Sequence, residues 1–507
     1  MGTVDVRPAP RDGVAPLPGF AWRPVGLVAL AQLAVLTAVS WRYGFHRDEL
    51  YFVAAGERPA WGYVDQPPLV PMLARAAGEV LGDSPAALRV VPGLVAAATV
   101  VVVALVAREL GGGRAAQVLT AAATALSAFV LVTGHMLSTA TLDLLVWTVV
   151  GLLALRLLRT GDGRWWVAIG LAVGAGLAAK WLVLLLVAVL GLAVLLVGPR
   201  SVLRSGWLGA GVALAAALAA PVVVWQAAHD FPLLTVAGGI SEDDGAENRI
   251  LFVPLQLAYL SPVLAPVWLA GLVRLWRRPE LRWARALAVS YPLLCIALLA
   301  LGGKPYYSIP LLLLLVAAGA EPTLHWLRRG PVASRRSLAT TSAVVGGVLS
   351  VVVALPVLPP GLLNGPVLAM NKEQGEQVGW PEFAATIARA WRQIPPPERA
   401  TAVIVTSNYG QAGAIERYGP GLGLPQPYSG HMSYADWGPP PDTLRGPVLL
   451  VGPAGEDTPD AFTACRVVAS HDNGLGVDND EQGTRVRLCA GTTAPWSRLW
   501  PRLHHFY

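Results

Sequence analysis

Asp48 and Glu49 stand side by side in a polar stretch, His46-Arg47-Asp48-Glu49, directly after the first apolar segment. A carboxylate at a partly dry surface has a raised pKa unless it is paired, which suits a general base. Neighbours on a helix point about 100° apart, so the two cannot face one reacting group equally. One could act on that group while the other holds a metal or a positive partner. The plainer reading is a solvated helix in which Arg47 neutralises Asp48. Asp65 and Gln66 follow, just before Pro67-Pro68. Asp65 either caps the next helix or brings a third acidic group toward Asp48.

Other polar groups sit where apolar segments end. Lys304-Pro305-Tyr306-Tyr307 lies on a turn. A lysine there either snorkels to headgroups or, beside tyrosine walls, grips a lipid phosphate. Lys180-Trp181 is a second candidate of that kind. Asp143 lies early in an apolar run, where an ionisable group is costly and is a functional candidate or a helix cap. His135 on the preceding turn is either its neighbour or structural. Asn408-Tyr409-Gly410 follows an expected strand, and Ser429-Gly430-His431 and Asp436-Trp437 come later. Amides, hydroxyls and aromatics interleaved on loops suit sugar recognition, or form ordinary turns. Ser241-Glu242-Asp243-Asp244-Gly245 lacks calcium-loop spacing and reads as a solvated loop.

The elements that must position these residues are mostly membrane helices. The 507 residues are 54% hydrophobic and only 14% charged, with a mean hydropathy of +0.52. Roughly 20 apolar residues span a bilayer as a helix. Eleven spans are expected, near 25–40, 88–107, 116–133, 138–157, 165–179, 181–197, 207–227, 251–273, 286–301, 306–320 and 338–358. The pair 165–179 and 181–197 could also be one long broken helix. The net charge of +6 is a topology signal and not a nucleic-acid signal. Alternate loops and their flanks hold 16 arginines, among them Arg156, Arg159, Arg274, Arg277, Arg278 and Arg329, whereas the short loops of opposite parity hold Lys180, Arg249 and Lys304. Basic loops stay cytoplasmic, which predicts a cytoplasmic N-terminal tail (1–24) and a transmembrane domain (25–358). The first outer loop (41–87) would carry two interfacial helices, over 47–56 and from Pro67-Pro68 to about Leu81. After Pro359-Pro360 the sequence turns polar and rich in Gly and Pro. Strands near 402–406, 448–452, 465–469 and 485–488, with helices near 380–391 and 411–418, predict an outer α/β domain over 359–507 with its own core. Cys465 and Cys489 would pair there in an oxidising compartment, or remain two thiols; Cys295 reads as a packed thiol.

Asp48-Glu49, the Pro67-Pro68 helix start, the Lys304-Pro305-Tyr306-Tyr307 turn and the Asn408-Tyr409-Gly410 and Ser429-Gly430-His431 segments together resemble the family 39 glycosyltransferases. That family includes the protein O-mannosyltransferases and the bacterial aminoarabinose transferases. The resemblance implies the GT-C fold, a multi-pass protein of the plasma membrane, and a polyprenyl-phosphate-linked sugar as donor. Transfer would occur on the outer face with inversion, to an envelope glycan, lipid or protein acceptor. It implies Asp48 as the base and Glu49 as its assistant or as a ligand, with Asp48, of a divalent cation (Mg or Mn). Lys304, Tyr306 and Tyr307 would bind the donor phosphate. His46, Asp65, Gln66, His135, Asp143, Asn408, Tyr409 and His431 would contact substrate. One departure stands out: aminoarabinose-type members carry Glu-Lys before their Pro-Pro, and this chain carries Asp65-Gln66, so a positive charge near the phosphate is missing.

Two other function classes fit a polytopic chain. A lipid or sugar flippase would show internal repeats with paired broken helices, and no repeat is evident. A polysaccharide-binding scaffold would use the outer domain alone.

Overall fold

The computed structural model describes residues 16–452 and 459–506, so the first fifteen residues of the expected N-terminal tail lie outside it. The chain opens with α1 (Trp22–Val39). Between this helix and the next long one come α2 (Arg47–Gly56), α3 (Leu69–Leu81) and the short α4 (Pro85–Leu88). The bundle continues with α5 (Val90–Glu109), α6 (Arg114–Ala125), α7 (Ala128–His135), α8 (Thr139–Thr160), α9 (Trp165–Leu177), α10 (Val183–Val197) and α11 (Gly206–Ala228). It is completed by α12 (Pro232–Asp243), α13 (Gly245–Ala258), α14 (Ala265–Arg277), α15 (Arg285–Leu301), α16 (Ile309–Arg328) and α17 (Val332–Ala354). Among the described residues seven helices are long and apolar enough to cross a bilayer, and nine if each of two bent pairs counts as one span. α9 and α10 are shorter apolar helices.

Two expected spans are broken. α6 and α7 meet at 59°, and α13 meets the segment holding α14 at 72°. The second break falls at Ser261-Pro262, where proline has no N–H to donate. The breaks complete each other: Ala128 N donates to Leu260 O at 3.2 Å and Phe129 N to Tyr259 O at 3.0 Å. Non-helical backbone inside a membrane protein is tolerated where protein satisfies it in this way. The 165–197 alternative resolves into two helices that run out and back. Their far ends meet again, with Trp166 Nε1 donating to Val202 O at 3.0 Å.

α16 is the axis of the bundle, buried along its whole run from Ile309 to Ala320. α14 crosses it at Gly271 and Gly319, where a Cβ would collide with the carbonyl oxygens of Leu315 and Val267. α9 meets α11 through Gly170 and Gly211 in the same way. Small residues let helices approach closely where lipid provides no hydrophobic drive. The loop expected at 241–245 is instead the junction of α12 and α13, tied down by Asn248 Nδ2 to Gly302 O at 2.9 Å and by Arg249 Nε to Leu299 O at 3.0 Å.

The C-terminal part adds α18 (Pro366–Met370), α19 (Trp380–Trp391), α20 (Pro396–Arg399), α21 (Tyr409–Tyr418), α22 (Ser433–Asp436) and α23 (Trp496–Leu503) around strands. β1 (Val403–Thr406), β2 (Pro427–Ser429) and β3 (Val448–Val451) are parallel. β5 (Arg466–Ser470) and β6 (Arg485–Cys489) complete the five-stranded sheet in the order β2-β1-β3-β6-β5, antiparallel at that edge, while β4 (Phe462–Thr463) pairs with β7 (Gly491–Thr492). The Cys465–Cys489 disulfide is formed, with Cα atoms 3.9 Å apart. Val403, Val405, Val448, Leu450, Phe462 and Trp496 form a core of the domain's own, and a second core is shared with the helices of the first loop. Leu50, Phe52, Val70 and Ala74 of α2 and α3 pack into one cluster with Phe383, Ile387, Ala412 and Leu449. The first interhelical loop is thereby built into the α/β layer.

Candidate active site

The site assembles where α2 meets the α/β layer. His46 caps α2: its Nδ1 accepts from Asp48 N at 3.1 Å, while Glu49 Oε2 accepts from His46 N at 2.9 Å. This reciprocal capping box satisfies two donors that a helix start leaves open. With Nδ1 accepting, the imidazole proton sits on Nε2, 2.9 Å from Glu373 Oε2.

The capping box separates the two carboxylates. Glu49 is fully buried and paired with Arg89, Nε to Oε1 at 3.1 Å and Nη2 to Oε2 at 2.8 Å. Oε1 also accepts from Leu137 N at 3.1 Å. Arg89 in turn donates to Ser40 O, Gly44 O and Gln377 Oε1. Glu49 therefore has no free oxygen for an acceptor or a cation, which corrects the expectation that it assists Asp48 or ligates metal. Among the described residues no three His, Cys, Asp or Glu converge as a metal set. His135 belongs to the same interior knot, its Nε2 3.2 Å from both Arg89 and Gln377.

Asp48 points the other way, with 30% of its side chain exposed. Tyr409 donates its hydroxyl to Asp48 Oδ1 at 2.8 Å, and Arg47 Nε lies 3.7 Å from the same oxygen. Asp65 is held in parallel: the Tyr51 hydroxyl sits 2.6 Å from Asp65 Oδ1 and 2.8 Å from Ser433 Oγ. Burial pushes the Asp65 carboxyl up to about 6, against the opposing Tyr51 hydrogen bond. The two tyrosines stack at 4.7 Å between ring centroids. The stack continues through His431 at 4.9 Å and His505 at 4.8 Å. His431 is covered on both ring faces, and its Nδ1 accepts from Tyr409 N at 3.3 Å. Burial drives it down to about 3, so it is neutral. Asn408 is spent on the fold, capping α21 through Gln411 N at 2.9 Å and donating to Glu481 at 3.0 Å. His431 and Asn408 thus support Tyr409.

The cationic part of the site also differs from expectation. Lys304 pairs with Asp244 at 3.5 Å. The charge over the tyrosine pair is Lys180, 4.6 Å from the Tyr307 ring centroid and 5.6 Å from that of Tyr306. Lys180 also lies within electrostatic reach of the buried Asp143 carboxylate. Both amide atoms of Gln66 are buried and have no hydrogen-bond partner among the described residues. Leu69 N bonds Ala178 O at 2.9 Å, so residues 65–69 run directly from the Asp65 carboxylate to the Lys180 turn. Arg89, Tyr51 and Glu373 carried no expected role. For Arg89 a signal existed: an arginine within an expected span must be paired to be stable there.

Residues 65–225 match the family model described as dolichyl-phosphate-mannose-protein mannosyltransferase, about a third of the chain. No curated protein matches. Among solved structures, ArnT from Cupriavidus metallidurans bound to undecaprenyl phosphate is similar at 17% identity and a TM-score of 0.55, covering 92% of this chain and 98% of that one. Its apo form gives 15% identity and a TM-score of 0.56, over 91% and 97%. The arabinofuranosyltransferase AftD from Mycobacteria gives 16% identity and a TM-score of 0.50, over 94% of this chain and 40% of that one. Its long apolar helices make the chain a multi-pass membrane protein, and the architecture it shares with these structures is the GT-C fold.

Proposed function

We propose that the chain is a membrane glycosyltransferase that moves a sugar from a polyprenyl phosphate to a hydroxyl of an envelope glycan, lipid or protein. The observation that carries this reading is the division of labour in the acidic pair. Glu49 is consumed by Arg89, while Asp48 stays open and is aimed by Tyr409. Asp48 takes the proton of the acceptor hydroxyl as its oxygen attacks the anomeric carbon. The bond from that carbon to the phosphate oxygen breaks, and its electron pair leaves with the polyprenyl phosphate. Attack opposite the leaving group inverts the anomeric centre. Lys180, framed by Tyr306 and Tyr307, stabilises the charge that develops on the phosphate.

Undecaprenyl phosphate in the similar ArnT structure supports the donor class. The arginine-rich helix ends would face the cytoplasm of a plasma membrane, with the α/β domain outside. No step requires a metal. The test is turnover of a radiolabelled polyprenyl-phosphate sugar by the protein in nanodiscs. Asp48→Asn is expected to lower kcat at least about a hundredfold; retained turnover would remove Asp48 as the base.

A further inference from the structure

A second polar hollow lies at the other end of the bundle. The N-termini of α8 and α16 are at the candidate site, and 22 residues of α8 put its C-terminus about 33 Å away. There a cavity of about 1230 Å³ opens between the ends of α14 and α16 and the 278–284 connection. Six arginines line it against three glutamates. The carboxylates are mostly engaged: Glu109 binds Arg156 and Arg159, and Glu321 lies 3.7 Å from His325. Arg274 is fixed by the carbonyls of Ala318 and Leu110, both at 2.9 Å, and Arg335 by those of Trp326 and Arg329. Arg277, Arg278 and Arg329 have no carboxylate partner among the described residues, and each is exposed. Three guanidiniums on two chain segments, none of them in an ion pair with Glu280 or another carboxylate among the described residues, form a receptor for phosphate oxygens.

We propose that this cavity binds the phosphate headgroup of an anionic membrane lipid. The lipid source follows from what adjoins the arginines. Val273 lines the cavity yet is 48% exposed, and Trp276 beside it is 53% exposed. The hollow is thus continuous with the bare apolar flank of α14, where acyl chains lie while the headgroup reaches inward. Basic pockets between helices at a membrane surface hold such headgroups. The site is far from Asp48 and stands whether or not the transfer reaction does.

The test is native mass spectrometry of the full-length protein in detergent with equal amounts of phosphatidylglycerol and phosphatidylcholine of matched chains. Wild type is expected to retain the anionic lipid about fivefold or more over the neutral one. The triple variant Arg277→Gln, Arg278→Gln, Arg329→Gln is expected to fall to parity, and each single variant to lose part of the preference. Arg200→Gln with Arg204→Gln, at the same end but outside the cavity, is expected to keep it. Parity in wild type, an undiminished preference in a folded triple variant or in all three single variants, or an equal loss in the Arg200/Arg204 control would overturn the proposal. Inorganic phosphate as competitor separates the sources: if it alone displaces the lipid at low millimolar concentration, the site takes free phosphate and the lipid assignment fails.

Discussion

The Tyr409 hydroxyl donates to Asp48 Oδ1 at 2.8 Å, across the boundary between the helical bundle and the α/β domain. This single bond couples the candidate base to a four-ring stack anchored at His505, whose Nε2 lies 3.0 Å from Ser407 O. The domain therefore supplies a hydrogen-bond donor to the candidate site. Tyr409→Phe keeps the ring and the stack but removes the donor. A hydrogen bond to a charged group contributes about 1.5–3 kcal/mol, so kcat is expected to fall roughly ten- to a hundredfold with little change in thermal unfolding. Steady-state kinetics in nanodiscs checks this; an unchanged kcat would show that Asp48 does not depend on Tyr409 for its orientation.

Glu49 and Arg89 are expected to fail in a different way. Their pair is almost completely buried, at 0% and 1% side-chain exposure. Removing one partner leaves the other charge uncompensated, which costs about 3–5 kcal/mol. Glu49→Gln should lower the unfolding temperature and the folded yield, whereas Asp48→Asn should leave both near wild type. Replacing both partners, Glu49→Gln with Arg89→Met, should recover part of the loss. If Glu49→Gln unfolds like wild type yet loses turnover, its role is chemical and the assignment above is reversed.

Much of the architecture is legible in the sequence, because lipid imposes long apolar runs with basic ends. α2 falls on 47–56 and α19 on 380–391, as the periodicity predicts. The breaks near Ser127 and Ser261 are not legible, since each is stabilised by the backbone of the other, far away in the chain, through Ala128 N to Leu260 O and Phe129 N to Tyr259 O. β2 escapes notice because three residues beginning with proline carry no alternation. At the candidate site, residue type singles out Asp48 and Tyr409, which the structure joins by a hydrogen bond. It could not reveal which carboxylate of an adjacent pair is spent, because Arg89 arrives from 40 residues downstream. Lys180 and Lys304 share one sequence signature, and only the position of Asp244 separates them.

That separation predicts unequal lysines. Lys180 lies over the tyrosine rings, where a phosphate leaving group would gain the most from its charge. Lys180→Met is expected to lower kcat about a hundredfold and to raise the donor KM. Lys304→Met removes an ion pair that is about one-third exposed on both sides, and such pairs contribute about 0–1 kcal/mol. Donor turnover by that variant should stay within about fivefold of wild type. The reverse ranking, measured with the same donor, would return the phosphate to Lys304.

Asp65 gives a pH dependence whose sign follows from burial. Its folded-state value is raised from 3.8 to about 6, against the opposing bond from Tyr51 and with the nearby Asp48 charge raising it further. A carboxyl with a raised value binds its proton more tightly when folded than when unfolded. Stability then falls as pH rises wherever the folded state holds the extra proton. The Asp65 contribution is present in full below 3.8, declines between 3.8 and about 6, and is constant above. Asp65→Asn should remove that decline from a series of thermal unfolding measurements between pH 3.5 and 7.5. Tyr51→Phe, which deletes the bond favouring the ionised form, should extend the decline to higher pH. Identical slopes for wild type and Asp65→Asn across this window would mean that Asp65 titrates as it does in the unfolded chain, and that its carboxylate is not the buried partner of Tyr51.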